Sequence, residues 1–429
     1  MVVFLLLLLF AGILVGVPIL ISMCLAAVAS LFLFTNLPPN IIVSRMFAGL
    51  DKFAIMAMPF YIYAADLMGA GGLSRRIMDL AVTLLGNIRG GLAAATELAC
   101  MFFGALSGSS PATVVAIGSL SYPELIRSGY GKRFATGLLC SCGSVAILIP
   151  PSITMIVYAS VTGTSVGALF MGGILPGIVF GLFIIGYCIW YAYTQMEAPQ
   201  ERYNNRRLVT GKAAREALWA LGVPAIILGG IYLGVFTPTE AGGVSAVYAI
   251  IVGMFVYKEL TLRKLVQTTV KSAITMGQVM LLTAAASAVS WLLTMGQAAQ
   301  ILANVGQFFS TSPVAFLMFV NIVLLILGMF MDPTPINLII SPLLLPIAVR
   351  LGIHPIHLGI VLTANLAIGM FTPPFGLNLF VVPTVTGENI SNTISAVIPF
   401  VIICILALLV ITYVPAITLW IPRLVYGHV

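Results

Sequence analysis

The chain has 429 residues, of which 61% are hydrophobic and 7% charged, and its mean hydropathy is +1.14. These values exclude a soluble globular protein and predict an all-α polytopic membrane protein. The net charge of +7 does not indicate nucleic-acid binding, because the lysines and arginines lie in short loops between apolar segments, where membrane topology accounts for them.

The chain begins with an apolar run that has neither a basic region nor a cleavage site, so we interpret residues 1–18 as a retained first span. The most polar stretch, residues 196–215, carries five arginines and lysines and is predicted to be a cytoplasmic basic linker. It divides the chain into a first repeat, residues 1–195, and a second repeat, residues 216–429. Each repeat is expected to start with scaffold spans.

An internal repeat relates the two halves. The first copy reads FFGALSGSSPATVVAIG from Phe102 and LIPPSITMIVYASVTG from Leu148. The second reads LILGMFMDPTPINLIIS from Leu325 and MFTPPFGLNLFVVPTVTG from Met370. The matched positions are Pro111 with Pro335, the Pro150-Pro151 step with Pro373-Pro374, and Gly163 with Gly387.

The loops inside the two copies differ in charge. The first contains Arg127, Lys132 and Arg133, whereas the second contains Arg350 and two histidines. Because basic loops stay in the cytoplasm, the two copies are predicted to be inverted relative to each other, which is typical of transporters.

Each copy is predicted to contain a re-entrant helical hairpin followed by a proline-broken helix. The hairpins are expected around residues 97–126 and 314–348, and the broken helices around residues 134–158 and 356–385. Backbone groups freed at such interruptions can lie at membrane depth only against protein or a water-filled cavity. A single interruption would more often be a simple kink, but the matched pair favours a binding site.

Four acidic residues are candidates for function. Asp332 is the strongest, because an ionisable group at membrane depth is costly and is usually functional. It could equally cap a helix that begins at Pro333, and both roles are compatible. Glu97, Asp66 and Glu240 are weaker candidates, because each is expected near a span end, facing lipid headgroups or a partner subunit.

Enzyme motifs are absent from the sequence, which has no Walker A segment, no HExxH and no Rossmann glycine fingerprint. The serines between Ser107 and Ser110 leave an intramembrane hydrolase as a remote alternative, but no histidine lies in a predicted span to act as their base. A channel has no supporting motif either. His354 and His357 are interpreted as loop residues without a metal. We therefore predict a secondary active transporter and no enzyme.

Six segments resemble the large membrane subunit of TRAP transporters, and the resemblance covers essentially the whole chain. They are FGALSGSSPAT, ILIPPS, GVFTPTEAGG, MDPTPINLIISPLLLPIA, LGIHPIHLGIV and GMFTPPFGLNLF. The resemblance implies a sodium-coupled, elevator-type transporter of the bacterial inner membrane, in which both hairpins move through a scaffold of the remaining spans. It implies uptake of an organic acid anion, either sialic acid, which we favour weakly, or a C4-dicarboxylate. A self-sufficient sodium- or proton-coupled anion symporter of the same superfamily is the alternative.

The resemblance also implies partners and site residues. The partners are a small four-helix membrane subunit and a periplasmic substrate-binding protein, in addition to the surrounding lipid. Two or more sodium ions are implied, bound by Ser107, Ser110, Gly143 and Ile149 in the first copy and by Gly328, Asp332, Gly369 and Thr372 in the second. The implied cargo-binding residues are Ser109, Thr113, Thr334, Asn337, Asn365 and Asn378. Ala146 stands where the pattern has glycine, which makes the close backbone approach at the first site less secure.

Overall fold

The computed structural model describes residues 1–196, 211–297 and 312–427. This part of the chain is helical and contains no strand, which confirms the predicted all-α class. Most of the predicted linker, residues 197–210, lies outside the described residues. Five described helices are long and apolar enough to cross a membrane: Val166–Thr194, Pro238–Val256, Leu262–Met295, Pro333–Arg350 and Ile390–Tyr413.

The first helices of each half pack against one another. The first half begins with α1 (Val2–Leu14), α2 (Ile19–Phe34), α3 (Asn40–Leu50), α4 (Phe53–Ala70) and α5 (Leu73–Leu85). The second begins with α11 (Gly211–Tyr232), α12 (Pro238–Ile251), which continues as a π-helical turn at Val252–Val256, and α13 (Leu262–Met295). Helix α4 packs against α12, and α3 packs against α13. We call this group of helices the scaffold.

Glu240 lies at the beginning of α12, near a span end as expected. It forms a capping box with Thr237, in which the Glu240 side chain accepts a hydrogen bond from the Thr237 backbone N–H at 2.8 Å. The reciprocal bond runs from the Glu240 backbone N–H to Thr237 Oγ1 at 3.3 Å. Glu240 therefore satisfies backbone donors of the first turn and starts the helix.

Two helical hairpins occupy matched places in the halves. The first consists of α6 (Gly91–Ser107) and α7 (Ser110–Arg127), and the second of α14 (Pro313–Gly328) and α15 (Pro333–Arg350). Gly108, with φ at +56°, ends α6 in a left-handed conformation that favours glycine. In the second hairpin the Asp332 side chain accepts a hydrogen bond from the Thr334 N–H at 3.2 Å, so Asp332 caps α15 as the sequence allowed.

A broken helix follows each hairpin. The first consists of α8 (Lys132–Cys142), a 3-10 turn at Gly143–Ile147, and α9 (Ile153–Thr162); the second consists of α16 (Pro355–Gly369) and α17 (Leu377–Thr386). Both breaks fall at the double prolines, which contribute no N–H to a helix. Both second halves have ten residues and end at a left-handed glycine, Gly163 or Gly387. Helix α10 (Val166–Thr194) follows the first, and α18 (Ile390–Tyr413) and α19 (Pro415–Tyr426) follow the second.

The interpretation of both histidines as loop residues is wrong for His357. Only His354 precedes α16, where its Nδ1 accepts a hydrogen bond from the Ile356 N–H at 3.2 Å. His357 lies within the helix and is 2% exposed, with ring nitrogens 2.8 Å from Thr418 Oγ1 and 3.1 Å from the Thr412 carbonyl oxygen. The reason is Pro355, which favours the first position of a helix.

Candidate functional site

A cavity of about 960 Å³ lies between the two hairpin tips and the scaffold. The first tip contributes Ser107 to Ser110, and the second contributes Asp332 to Thr334. Thr154, at the start of the second half of the first broken helix, also lines it. The structure thus brings together the two polar interruptions that are far apart in the sequence.

Side-chain hydrogen bonds fix the backbone of the first tip. Ser107 Oγ lies 2.9 Å from Thr113 Oγ1, and the Thr113 hydroxyl also donates to the Ser109 carbonyl oxygen at 2.9 Å. The Ser109 N–H points back at Ser107 Oγ over 3.3 Å. Ser107 and Thr113 are buried, whereas Ser109 is half-buried and lines the cavity. Thr113 therefore holds the backbone of the tip in place from its buried side, by hydrogen bonds to Ser107 and Ser109.

The first tip packs against the first helix break at backbone distance. A Cβ atom on Gly104 would lie 2.6 Å from Ala146 Cα, and one on Gly108 would lie 2.5 Å from the Pro151 carbonyl oxygen. A Cβ on Gly143 would lie 3.1 Å from the Ser110 carbonyl oxygen. Ala146 therefore does not prevent the close approach of tip and break, because the glycine that gives it room is Gly104 of the hairpin.

The second tip repeats this arrangement. A Cβ atom on Gly369 would lie 2.6 Å from Gly328 Cα, so the two backbones are in direct contact. The Phe375 N–H donates to the Met329 carbonyl oxygen at 3.1 Å, which ties the break to the tip. Thr372, also in the break, donates its hydroxyl to the Ile368 carbonyl oxygen at 2.6 Å.

Two buried asparagines join one repeat to the other. Asn378, on α17, places Nδ2 2.9 Å from Ser110 Oγ and donates to the Cys140 carbonyl oxygen at 2.8 Å. Asn337, on α15, donates to the Thr154 carbonyl oxygen at 2.7 Å. Each asparagine thus links a hairpin of one repeat to the broken helix of the other.

The predicted cargo residues occupy two different layers. Ser109 and Thr334 line the cavity, whereas Asn337 and Asn378 are fully buried behind it. Asn365 lies elsewhere: its Nδ2 donates to Asn321 Oδ1 at 2.8 Å, within the second repeat. Ile149, a predicted sodium ligand, lies half-buried in the first break. Asn337, Asn365 and Asn378 therefore hold helices together by buried hydrogen bonds and do not line the cavity.

Two basic residues that sequence reasoning missed line the cavity from the scaffold. Arg75, on α5, and Lys271, on α13, are exposed there, and neither forms an ion pair within the described ranges. Asp66 lines the same side and accepts a hydrogen bond from Ser272 Oγ at 2.7 Å. No sequence signal marked Arg75 or Lys271, because both lie outside the repeated motifs.

Glu97 is placed differently from the expectation of a span end. It lies inside α6 and its side chain is 0% exposed. Neither carboxyl oxygen has a hydrogen-bond partner among the described residues. The sequence does not reveal that Glu97 lies in the interior of a helix. The reason is that an apolar run does not show where its helix begins, and α6 begins at Gly91, six residues before Glu97.

Comparison with known proteins agrees with the resemblance. The family model described as "Tripartite ATP-independent periplasmic transporter, DctM component" matches residues 6–417. The C4-dicarboxylate TRAP transporter large permease of Pseudomonas aeruginosa is 43% identical over 402 residues, covering 94% of each chain. The isethionate TRAP transporter permease of Oleidesulfovibrio alaskensis is 41% identical, covering 95% of this chain and 64% of that relative.

A solved structure shows the same fold at low identity. The YdaH transporter of Alcanivorax borkumensis superposes with a TM-score of 0.57 at 14% identity, over 95% of this chain and 98% of that one. The relatives are named as permeases, so the chain is a transporter and not an enzyme, as predicted, and it is a multi-pass inner-membrane protein. The chain therefore belongs to the family of DctM components, the large membrane subunits of tripartite ATP-independent periplasmic transporters.

Proposed function

We propose that this chain carries an organic acid anion across the inner membrane together with sodium ions, by an elevator movement of the hairpins against the scaffold. The observation that carries the proposal is the cavity between both hairpin tips and the scaffold. Binding sites at the midplane between repeats are typical of secondary transporters. A cavity of about 960 Å³ has room for a small organic anion.

The residues around the tips fit sodium ions. Hard cations prefer oxygen ligands, and neutral carbonyl and hydroxyl oxygens suit a monovalent ion. At the first site the Ser110 carbonyl oxygen lies close to the Gly143 backbone, because glycine has no Cβ atom to separate them. At the second, the carbonyl oxygens of Gly369 and Met370 face Gly376 in the same way. Asp332, beside the second tip, would supply a negative charge.

Two of the four charged residues that line the scaffold side of the cavity in the described chain are cations that fit an anionic cargo. The other two are Asp66, which accepts a hydrogen bond from Ser272, and Glu259, which pairs with Arg76. Arg75 and Lys271 line the cavity without an ion-pair partner in the described part of the chain. Because opposite charges attract strongly in a cavity with low-dielectric walls, these two cations would raise the local concentration of a carboxylate. The half-buried Ser109 and Thr334 would offer polar contacts from the tips.

For the cargo we now favour a C4-dicarboxylate over sialic acid. The Pseudomonas relative, at 43% identity, is named for C4-dicarboxylates. Another relative is named for isethionate, so substrates differ among proteins that share about the same identity with this chain. We also propose the two partners that the family implies: a small membrane subunit and a periplasmic binding protein that delivers the anion.

Reconstitution tests the proposal. Proteoliposomes with this chain and its small subunit would receive the binding protein, loaded with radiolabelled succinate, on the outside. We expect uptake with an inward sodium gradient and none when sodium is replaced by potassium. Uptake that is indifferent to this replacement would refute sodium coupling, and uptake by this chain alone would support the self-sufficient symporter.

A further inference from the structure

Glu97 lies in an environment that does not suit an ionised carboxylate. Its side chain is 0% exposed, and both carboxyl oxygens lack a hydrogen-bond partner in the described chain. Transfer of an unpaired carboxylate into a medium of low dielectric costs many kcal/mol, whereas a neutral carboxylic acid loses far less hydration. The ionised form would therefore need a cation close by.

No cation is found near it in the described ranges. There the titratable groups that interact electrostatically with the carboxyl are four thiols: Cys100 on α6, Cys142 on α8, Cys188 on α10 and Cys404 on α18. Helices α4, α5, α7 and α11 also pack against α6, and none contributes a charged group to this set. Among the described residues, Glu97 has no lysine, arginine or histidine as a partner.

The second repeat shows which hydrogen bonds the site provides. When the hairpins are aligned on Gly104 and Gly328, Glu97 falls on Asn321. Asn321 is also buried, but it is satisfied: its Oδ1 accepts from Asn365 Nδ2 at 2.8 Å, and its Nδ2 donates to Thr412 Oγ1 at 3.2 Å. The second repeat thus holds an amide with one donor and one acceptor at this position.

One partner of Asn321 also has a matching position in the first repeat. Asn365 matches Cys142 when the broken helices are aligned on Ala146 and Gly369. The Cys142 thiol is among the groups that interact with Glu97. A protonated carboxyl group is uncharged and has nearly the shape of an amide, with one O–H donor where the amide has two N–H donors. An ionised carboxylate has no donor.

We propose that Glu97 is a proton-binding site: it holds one proton while α6 is packed against α8 and α10, and the uncharged carboxylic acid occupies the position that the uncharged Asn321 amide occupies in the second repeat. Loss of the proton would leave a buried charge without a partner, so alkaline pH would loosen this packing. A conformation that opened the site to water would release the proton. Protonation of Glu97 therefore favours the packed hairpin.

Infrared spectroscopy and thermal unfolding of the full-length chain in lipid nanodiscs test this. We expect a carboxylic acid C=O band at neutral pH that is lost in Glu97→Gln and kept in Glu240→Gln, whose target is the exposed cap of α12. Glu97→Gln should fold and keep the wild-type melting temperature at neutral pH, because glutamine is uncharged and has nearly the same shape as the protonated side chain. The melting temperature of the wild type should fall at alkaline pH by more than that of Glu97→Gln.

Three results would overturn the proposal: no band lost in Glu97→Gln, failure of this variant to fold, or equal alkaline losses of melting temperature in both proteins. Each would mean that the carboxylate is ionised or has another partner. These measurements need neither cargo nor sodium, so they stand or fall separately from the proposed transport function.

Discussion

The contact between Gly328 and Gly369 predicts that a single methyl group at the second site weakens sodium binding. In Gly369→Ala the new Cβ would lie 2.6 Å from Gly328 Cα, closer than real Cβ atoms come to backbone, so tip and break must move apart. Overpacking of this kind costs about 1–3 kcal/mol, partly offset by up to about 1 kcal/mol from the better helix propensity of alanine. A net cost of about 1–2 kcal/mol corresponds to a loss of affinity of about 5–30-fold.

Sodium-dependent thermal stabilisation of the purified full-length chain measures this affinity without transport. The matched control is Gly277→Ala: Gly277 lies within α13 and has no neighbouring atom within 4 Å of its would-be Cβ. We expect the control to bind sodium like the wild type. Gly369→Ala keeps the Gly369 carbonyl oxygen, so a weaker response would report the separation of tip and break.

The first repeat supplies an independent check of the same reasoning. There the space is provided by Gly104, whose Cβ would lie 2.6 Å from Ala146 Cα. Gly104→Ala should therefore weaken sodium binding as Gly369→Ala does, whereas Ala146→Gly should leave it intact. If Gly369→Ala binds sodium as well as Gly277→Ala does, close packing of tip and break is not what forms the site, and the reasoning fails.

Three further predictions concern other contacts. Asn378→Ala should lower the free energy of unfolding by about 2–3 kcal/mol in thermal unfolding, because it removes two buried hydrogen bonds and strands a carbonyl group; an unchanged melting temperature would contradict this. Lys271→Gln or Arg75→Gln should raise the KM for a dicarboxylate several-fold without changing the melting temperature, and an unchanged KM would argue against contact with the cargo. The hydrogen bond from Lys132, at 3.0 Å, lowers the pKa of Glu388. The stability that this pair contributes is therefore present above the ordinary carboxyl pKa and is lost as the pH falls through the lowered pKa. Glu388→Gln should abolish this decrease in melting temperature at acid pH, and a decrease as large as that of the wild type would contradict the prediction.

The sequence was sufficient for the parts of the fold that local chemistry determines. Proline and glycine act on the backbone where they stand, so the double prolines located both helix breaks and Gly108 located the first hairpin tip. The repeat made these local signals stronger, because each was found twice in the same order. Asp332 could be predicted as a cap for the same reason: the residue before a proline-initiated helix has a local role.

The orientation of side chains within apolar helices could not be predicted in this way. Asn337, Asn365 and Asn378 all stand in apolar helices, and tertiary packing decides which face of each helix meets the cavity. The two scaffold cations, Arg75 and Lys271, reach the cavity only because α5 and α13 are folded beside the hairpins. A single sequence carries no information on such contacts between distant segments.

The contacts between the repeats bear on how the hairpins could move. Helix α7 of the first hairpin packs against α17, and α15 of the second packs against α9. Each hairpin is thus in contact with the broken helix of the other repeat. Buried hydrogen bonds of Asn378 to Ser110 and of Asn337 to Thr154 join these two pairs of helices. The hairpins and broken helices are thereby interlocked, so neither hairpin can shift far alone without breaking a joint. The cavity separates both tips from Arg75 and Lys271. An interlocked unit would move as one body, which is what the proposed elevator requires. Such a movement would have to slide the contacts of α6 with α5 and of α15 with α13, where the unit packs directly on the scaffold.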